Sequence, residues 1–246
     1  MPKTLILIPS RMSATRLPGK PLLKINNLAI ISHVVNKAEK SKVGQVIVCT
    51  EDKEILDEVE KNGGKAILTS KKHKTGTDRI FEAFKKLAIN NVDYVLNLQG
   101  DEPGVNENDI INLNNLMIKN NSDIGTLAAK IKDISTFLNK NIVKVLTEKK
   151  LNNSNFSLAL NFVRKDNIQN NKNIYHHIGI YAYKVKVLEK FVNLDQSKNE
   201  IKNRLEQLRA LDNDLKINVA LAKSSPIGVD TIEDYLAIKK IMEYKS

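Results

Sequence analysis

The N-terminal part of the chain alternates between short apolar runs and segments with apolar residues at helical spacing. Leu5-Ile6-Leu7-Ile8 has no polar position, the pattern of a strand buried on both faces. Pro9 follows and is expected to stop its ladder. Leu28, Ile31, Val34, Val35 and Ala38 mark a helix over Leu28 to Lys42, with His33 as a satisfied or exposed helix histidine. Gln45 to Thr50 reads as a second strand. Glu51-Asp52 then supplies capping and first-turn acids to a helix ended by Gly63-Gly64. Ala66 to Thr69 gives a third short strand, Asp78 to about Ile89 a helix, and Tyr94 to Leu98 another buried strand. This β-α-β order predicts an α/β protein with a mostly parallel, doubly wound sheet.

The second half has a different rhythm. After a helix over Asn108 to Lys119, strands are expected at Asp123 to Lys132, Ile142 to Glu148, Ser157 to Val163 and Ile174 to Tyr183. Consecutive strands predict a smaller antiparallel excursion from the parallel sheet. Helices at Lys184 to Val192 and Glu200 to Asp212, a strand at Lys216 to Ala222 and a last helix at Ile232 to Tyr244 complete the pattern. There is no internal repeat and no linker, so residues 1–246 read as a single domain. The asparagine-rich stretch Asp166 to Lys172 reads as a loop, and Asn167 to Asn173 as a candidate mobile one.

Composition narrows the function classes. No apolar run approaches the roughly 20 residues of a membrane span, and the N-terminus carries no signal-peptide pattern, so a cytoplasmic protein without a membrane partner is expected. A single cysteine, Cys49, lies in an apolar run and reads as a small buried hydrophobe. The net charge of +11 raises nucleic-acid binding as a possibility. Against it, the lysines are scattered along the whole chain, and aromatics at 5% with no Trp supply no base-stacking platform. The excess charge instead helps attract a polyanionic substrate.

Candidate chemistry sits at the strand ends. After the first strand come Arg11, Arg16 and Lys20, with Pro18 and Pro21 excluding a helix and Gly19 allowing a turn. A rigid cationic loop at the C-terminal end of a buried strand suits a polyphosphate; its bland alternative is a basic surface loop. Gly19-Lys20 is followed by proline, so this is no P-loop, and no GxGxxG marks a nicotinamide or flavin site. Thr75-Gly76-Thr77-Asp78-Arg79 opens a helix. It reads either as plain capping or as a backbone site for a base or ribose. Gln99-Gly100-Asp101-Glu102-Pro103 ends another buried strand and brings a carboxylate to the same crevice. Cations for phosphate and an acid for metal point to a Mg²⁺-nucleotide; the alternative for Asp101 is an acidic turn.

Together these segments resemble the 3-deoxy-manno-octulosonate (Kdo) cytidylyltransferase family. The resemblance runs over Ile8-Pro9-Ser10-Arg11, Thr15-Arg16-Leu17-Pro18-Gly19-Lys20-Pro21-Leu22, Thr75 to Arg79, Gln99 to Pro103 and Arg164. It continues through His177-Ile178-Gly179-Ile180-Tyr181, Glu206-Gln207-Leu208-Arg209 and Gly228-Val229-Asp230-Thr231, covering essentially the whole chain in family order. It implies a three-layer α/β/α nucleotide-diphospho-sugar transferase fold in a homodimer, with a dimerisation and sugar-side subregion around residues 124–183. It also implies the reaction of CTP with Kdo to give CMP-Kdo and pyrophosphate, with Mg²⁺ as cofactor. Arg11, Lys20 and Asp101 would be catalytic, and Ser10, Arg11, Arg16, Lys20, Thr75, Gly76, Thr77, Arg79 and Gly100 would bind nucleotide. Gln99, Arg164, His177, Tyr181, Glu206 and Gln207 would face the sugar. Asp101 and Asp230 would hold the metal. Residue chemistry leaves Asp230 a second reading, the N-cap of the last helix. The nearest rival function is a CMP-sialate synthetase; the rival from another class is a basic RNA-binding protein.

Overall fold

The computed structural model describes residues 2–164, 173–223 and 225–244; Asp166 to Lys172 lie outside them. The chain forms two compact units, Met1–Ile111 with Pro226–Ser246, and Asn112–Ser225. Among the described residues no helix is long and apolar enough to cross a membrane.

In chain order the first unit carries β1 (Thr4–Ser10), the hairpin strands β2 (Lys24–Ile25) and β3 (Leu28–Ala29), helix α1 (Ile30–Lys40) and β4 (Gly44–Thr50). It continues through α2 (Lys53–Lys61), β5 (Ala66–Leu68), α3 (Gly76–Leu87) and β6 (Tyr94–Asn97). Strands run β5-β4-β1-β6, all parallel. Every residue of β1 is buried, as its unbroken apolar run predicts for a central strand. Cys49 is fully buried in β4, and burial pushes its thiol well above the usual range, so it is inert.

Pro9 stops the ladder on the β6 side only: on the β4 side Pro9 and Ser10 stay in register with Cys49 and Thr50. The reason is which edge the missing N–H would face. Leu7 O accepts from Leu98 N at 3.1 Å, so the odd-numbered residues of β1 bond toward β6. The register with β6 ends at Leu7 opposite Asn97, so Pro9 forfeits no bond there. Nor does Pro21 exclude all helix. A single 3-10 turn spans Lys20–Leu22, with proline in its first turn, where no N–H is needed. The β2–β3 hairpin was not anticipated. Its turn residues Asn26 and Asn27 have φ of 47° and 63°, the left-handed geometry asparagine tolerates best after glycine. The expected histidine role holds, with His33 Nε2 2.8 Å from Ile25 O. Asp52 is at the N-cap of α2 but makes no capping bond; its Oδ2 accepts from Met12 N at 2.7 Å. That bond pins the cationic loop to the end of β4.

Helix α4 (Glu107–Asn120) leads into the second unit, followed by β7 (Ile124–Ala129), α5 (Ile134–Leu138), β8 (Lys144–Thr147) and β9 (Ser157–Val163). Then come β10 (Ile174–Lys184), α6 (Val185–Val192), α7 (Lys198–Asn203), α8 (Gln207–Asp212) and β11 (Ile217–Leu221). The expected antiparallel excursion is present: β8, β9 and β10 all pair antiparallel. The pairings run from β10 through β7, β11, β9 and β8 and return to β10. Short α5 was missed, although Asp133 Oδ1 caps it by accepting from Thr136 N at 2.7 Å. The helix expected over Glu200 to Asp212 is broken in two, at Arg204 with φ of 53°. The break serves a buried ion pair in which Arg209 Nε and Nη2 reach Glu200 at 2.8 and 2.6 Å. Residues nine apart point to opposite sides of an unbroken helix, so the pair can form only across a bend. The chain returns to the first unit for α9 (Ile232–Glu243).

Candidate active site

The cationic loop folds back on itself: Gly19 N and Ala14 N both bond to Met12 O, at 3.0 and 2.9 Å. Gly19 sits at φ of 75°, a left-handed position that carries the chain into the 3-10 turn and aims Lys20 inward. A second glycine is required at Gly100. A Cβ there would stand 2.9 Å from Pro9 O and 3.3 Å from Ser10 Cβ, so the turn after β6 lies directly against the end of β1.

These turns wall a cavity of about 320 Å³ in the first unit, within the size range of small-ligand sites. Its lining brings together Ser10, Arg11, Arg16, Lys20, Thr75, Gly76, Arg79, Gln99, Gly100, Asp101 and Asp230, eleven of the residues singled out from sequence. Thr77 is not among them; it is buried at the start of α3. Ser10 is buried, and its Oγ has no hydrogen-bond partner among the described residues.

At the centre Lys20 Nζ donates to Asp101 Oδ2 at 2.5 Å, Val229 O at 2.8 Å and Asp230 Oδ1 at 3.1 Å. Arg16 Nη2 meets the other Asp230 oxygen at 2.7 Å. Burial alone would lower the Lys20 pKa, but Asp101 and then Asp230 outweigh it and hold the amine above its ordinary value. Glu102 is the counterpart: burial, then the charges of Asp101 and Asp230, push its carboxyl up to about 8. The N-cap reading of Asp230 is overturned. Thr231 caps α9, with Asp234 closing a capping box, and this leaves the Asp230 carboxylate to the cavity.

Arg79 reaches the cavity wall, yet its guanidinium is engaged by Glu51, by Thr69 Oγ1 at 2.6 Å and by Ser70 O at 3.4 Å. Thr75 does cap α3, its hydroxyl accepting from Asp78 N at 3.1 Å. Sequence reasoning left out His73 and Lys74, which also line the cavity. His73 Nε2 is held by Glu82, whose carboxylate also accepts from Ser70 N and pairs with Lys86 at 2.5 Å. Burial would raise the Glu82 pKa, but Lys86, His73 and the Ser70 N–H together lower it to about 2. The two residues directly precede the Thr75 helix start, and that adjacency was the signal available.

The remaining predicted residues belong to the second unit. Arg164 Nη1 donates to Asn141 O at 3.0 Å, and Lys144 Nζ donates to Arg164 O at 3.2 Å. His177 is buried, edge-on to Phe162, with Nε2 3.1 Å from Thr126 Oγ1. Burial, with a smaller contribution from His176, drops its pKa to about 3, so the ring is neutral at pH 7. The Tyr181 hydroxyl is buried, and burial, then Tyr183 and Glu206, push its pKa up. Glu206 and Gln207 are half-buried where α8 begins.

Asp101, Asp230 and the Val229 carbonyl converge on one point and offer only hard oxygen donors, the set a Mg²⁺ ion takes. Among the described residues no cluster of three or more His, Cys, Asp and Glu side chains suits a metal. A divalent ion here would therefore fit two carboxylates and draw its other ligands from phosphate and water.

A parallel sheet whose strand ends carry a cationic loop and a carboxylate pair around one cavity is the arrangement of a nucleotidyltransferase with the nucleotide-diphospho-sugar transferase fold. Residues 5–217 match the cytidylyltransferase family model. The 3-deoxy-manno-octulosonate cytidylyltransferase of Thermodesulfovibrio yellowstonii is 44% identical, over 97% of this chain and 98% of that protein. The protein of the same name from Rhodopseudomonas palustris is 41% identical over 98% of both chains. A solved CMP:2-keto-3-deoxy-manno-octonic acid synthetase in complex with CTP superposes with a TM-score of 0.89 at 31% identity, over 99% of this chain and all of that one. A UDP-glucose pyrophosphorylase complexed with UDP-glucose shares the fold alone, at a TM-score of 0.72 and 16% identity. The chain belongs to the 3-deoxy-manno-octulosonate cytidylyltransferase family.

Proposed function

We propose that the protein transfers CMP from CTP to Kdo, giving CMP-Kdo and pyrophosphate for lipopolysaccharide assembly. The observation that carries this reading is the cavity in which Arg11, Arg16 and Lys20 meet Asp101 and Asp230, in a chain of this family. The anomeric hydroxyl of the sugar attacks the α-phosphorus of CTP in line; the new bond is oxygen to phosphorus, and pyrophosphate leaves. Charge gathers on the phosphate oxygens and the leaving group, so fixed cations accelerate the step most. Arg11, Arg16 and Lys20 are assigned to the triphosphate, with Ser10 Oγ as an added donor. Thr75 and Gly76, with His73, are assigned to the nucleoside. Asp101 and Asp230 are the residues that would hold Mg²⁺, which when bound neutralises phosphate charge and lowers the pKa of a coordinated hydroxyl. Arg164 is assigned to the sugar carboxylate, because a planar guanidinium pairs with it through two parallel bonds. Gln99, His177, Tyr181, Glu206 and Gln207 are assigned to the sugar side. The protein would act as a homodimer in the cytoplasm, where CTP is available.

The test is pyrophosphate release from CTP with Kdo, without it, and with sialic acid in its place. Release only with Kdo is expected; release only with sialic acid, or none with either, overturns the reading. In the same assay Arg164→Lys should raise KM for Kdo well above any change in KM for CTP. Equal rises would remove Arg164 from the carboxylate.

A further inference from the structure

We propose that the Lys20 ammonium is a stand-in for the divalent cation: in the ligand-free protein it fills the oxygen site of Asp101, Asp230 and Val229, so metal alone is held off and enters with the nucleotide. The inference rests on the functional reading above, since it concerns the same two carboxylates.

An ammonium has three N–H donors and no acceptor. Lys20 matches all three, to Asp101 Oδ2 at 2.5 Å, Val229 O at 2.8 Å and Asp230 Oδ1 at 3.1 Å. Those are the hard oxygens a Mg²⁺ ion would need. The Lys20 side chain is only 11% exposed, so water does little to loosen the contact. Arg16 occupies the other Asp230 oxygen at 2.7 Å. Both carboxylates are therefore already neutralised by cations belonging to the protein. A metal ion arriving alone must displace the ammonium, because two cations cannot share one trio of oxygens at contact distance. The displaced lysine then gives up all three of its oxygen partners at once.

A triphosphate removes that obstacle. It offers anionic oxygens to which Lys20 and Arg16 can turn, and it brings a divalent ion already attached. One lysine thus serves two states: it balances the carboxylates before nucleotide arrives and the phosphates afterwards. The expected consequence is strong coupling, with metal affinity low without nucleotide and high with it.

The coupling can be read without turnover. Free Mn²⁺ is followed by electron paramagnetic resonance while the ion alone is titrated into nucleotide-free protein. Lys20→Met should bind Mn²⁺ at least about ten-fold more tightly than wild type, as for loss of one competing charge contact in a shielded site. Lys20→Arg, which keeps the charge, should not show the gain. Adding Asp101→Asn to Lys20→Met should abolish it. Thermal melting gives a second readout, since Mn²⁺ should raise the melting temperature of Lys20→Met more than that of wild type. If Lys20→Met does not fold, Lys20→Gln takes its place. The stand-in is overturned if the uncharged variant binds Mn²⁺ no more tightly than wild type. In that event, Asp101-dependent uptake of Mn²⁺ by the wild type in the presence of CTP would leave the functional reading in place. Failure of Kdo-dependent pyrophosphate release would remove that reading instead.

Discussion

At the scale of single residues, the second unit contains a pH-sensitive group whose effect can be signed. Burial lowers the pKa of His177 from the ordinary 6.5 to about 3. Between those values the unfolded chain binds a proton that the folded one refuses, so stability rises with pH and is lost on acidification. Its contribution is complete above about pH 6.5 and shrinks as pH falls toward 3. At pH 5 the loss amounts to about 2 kcal/mol. His177→Asn removes the titration while keeping a donor for Thr126 Oγ1, now 3.1 Å from the ring. Urea unfolding at pH 7 and pH 5 should therefore show wild type losing more stability than the variant. Parallel losses would show that His177 does not titrate between those values. Some residue roles were legible and others were not, for a simple reason. Lys20 and Asp101 stand in local motifs at strand ends, where residue type, proline and glycine spacing and fold position agree. Their partners do not. Asp52 on Met12, Glu51 on Arg79 and Glu82 on His73 join residues that no short motif connects. Such bonds depend on how strands and helices come together, which residue spacing does not encode.

At the scale of elements, α9 separates two readings of adjacent residues. Thr231 accepts from Asp234 N at 3.3 Å and Asp234 returns the bond to Thr231 N at 2.9 Å, so the cap is complete without Asp230. Thr231→Ala should cost about 1 kcal/mol of stability and leave turnover at saturating substrate near wild type. Asp230→Asn should do the reverse. It leaves the cap intact but weakens a hard-cation ligand, and turnover should fall about 100-fold or more. Chemical denaturation paired with pyrophosphate release checks both. Wild-type turnover in Asp230→Asn, with unchanged Mg²⁺ dependence, would exclude this carboxylate from the chemistry. Elements with strong periodicity were legible: β1, β4, α1, α3 and the strands of the antiparallel excursion fall within a few residues of expectation. The split helix and the hairpin share a physical cause, in that each depends on one backbone position or one tertiary pair. Arg204 in the left-handed region splits α7 from α8 so that Glu200 can meet Arg209. Asn26-Asn27 makes a hairpin of two-residue strands too short for any periodicity to show.

At the scale of the whole molecule, α5 is held by its Asp133 cap but by no buried side chain of its own. It has five residues, none of them buried, and isolated helices of that length do not persist in water. Ile134 and Leu138, one turn apart on the same face, are 74% and 54% exposed. Leu160 on β9 of the same unit is 53% exposed and points away from the buried side of its strand. Apolar side chains displayed on so short a helix mark a surface that gains by being covered. The homodimer proposed above, with contacts expected around residues 124–183, would cover this surface with a second copy of the chain in a two-fold pairing of like surfaces. No apolar run distinguishes this surface from a core segment, since Ile134 and Leu138 read equally well as buried positions. Only their exposure assigns them outward. Sedimentation at micromolar concentration should give twice the mass of 27.7 kDa. Ile134→Asp with Leu138→Asp should shift the protein to monomer while circular dichroism stays native, because neither side chain supports its own chain's core. A monomeric wild type would end the assignment, and so would a double variant that remains dimeric.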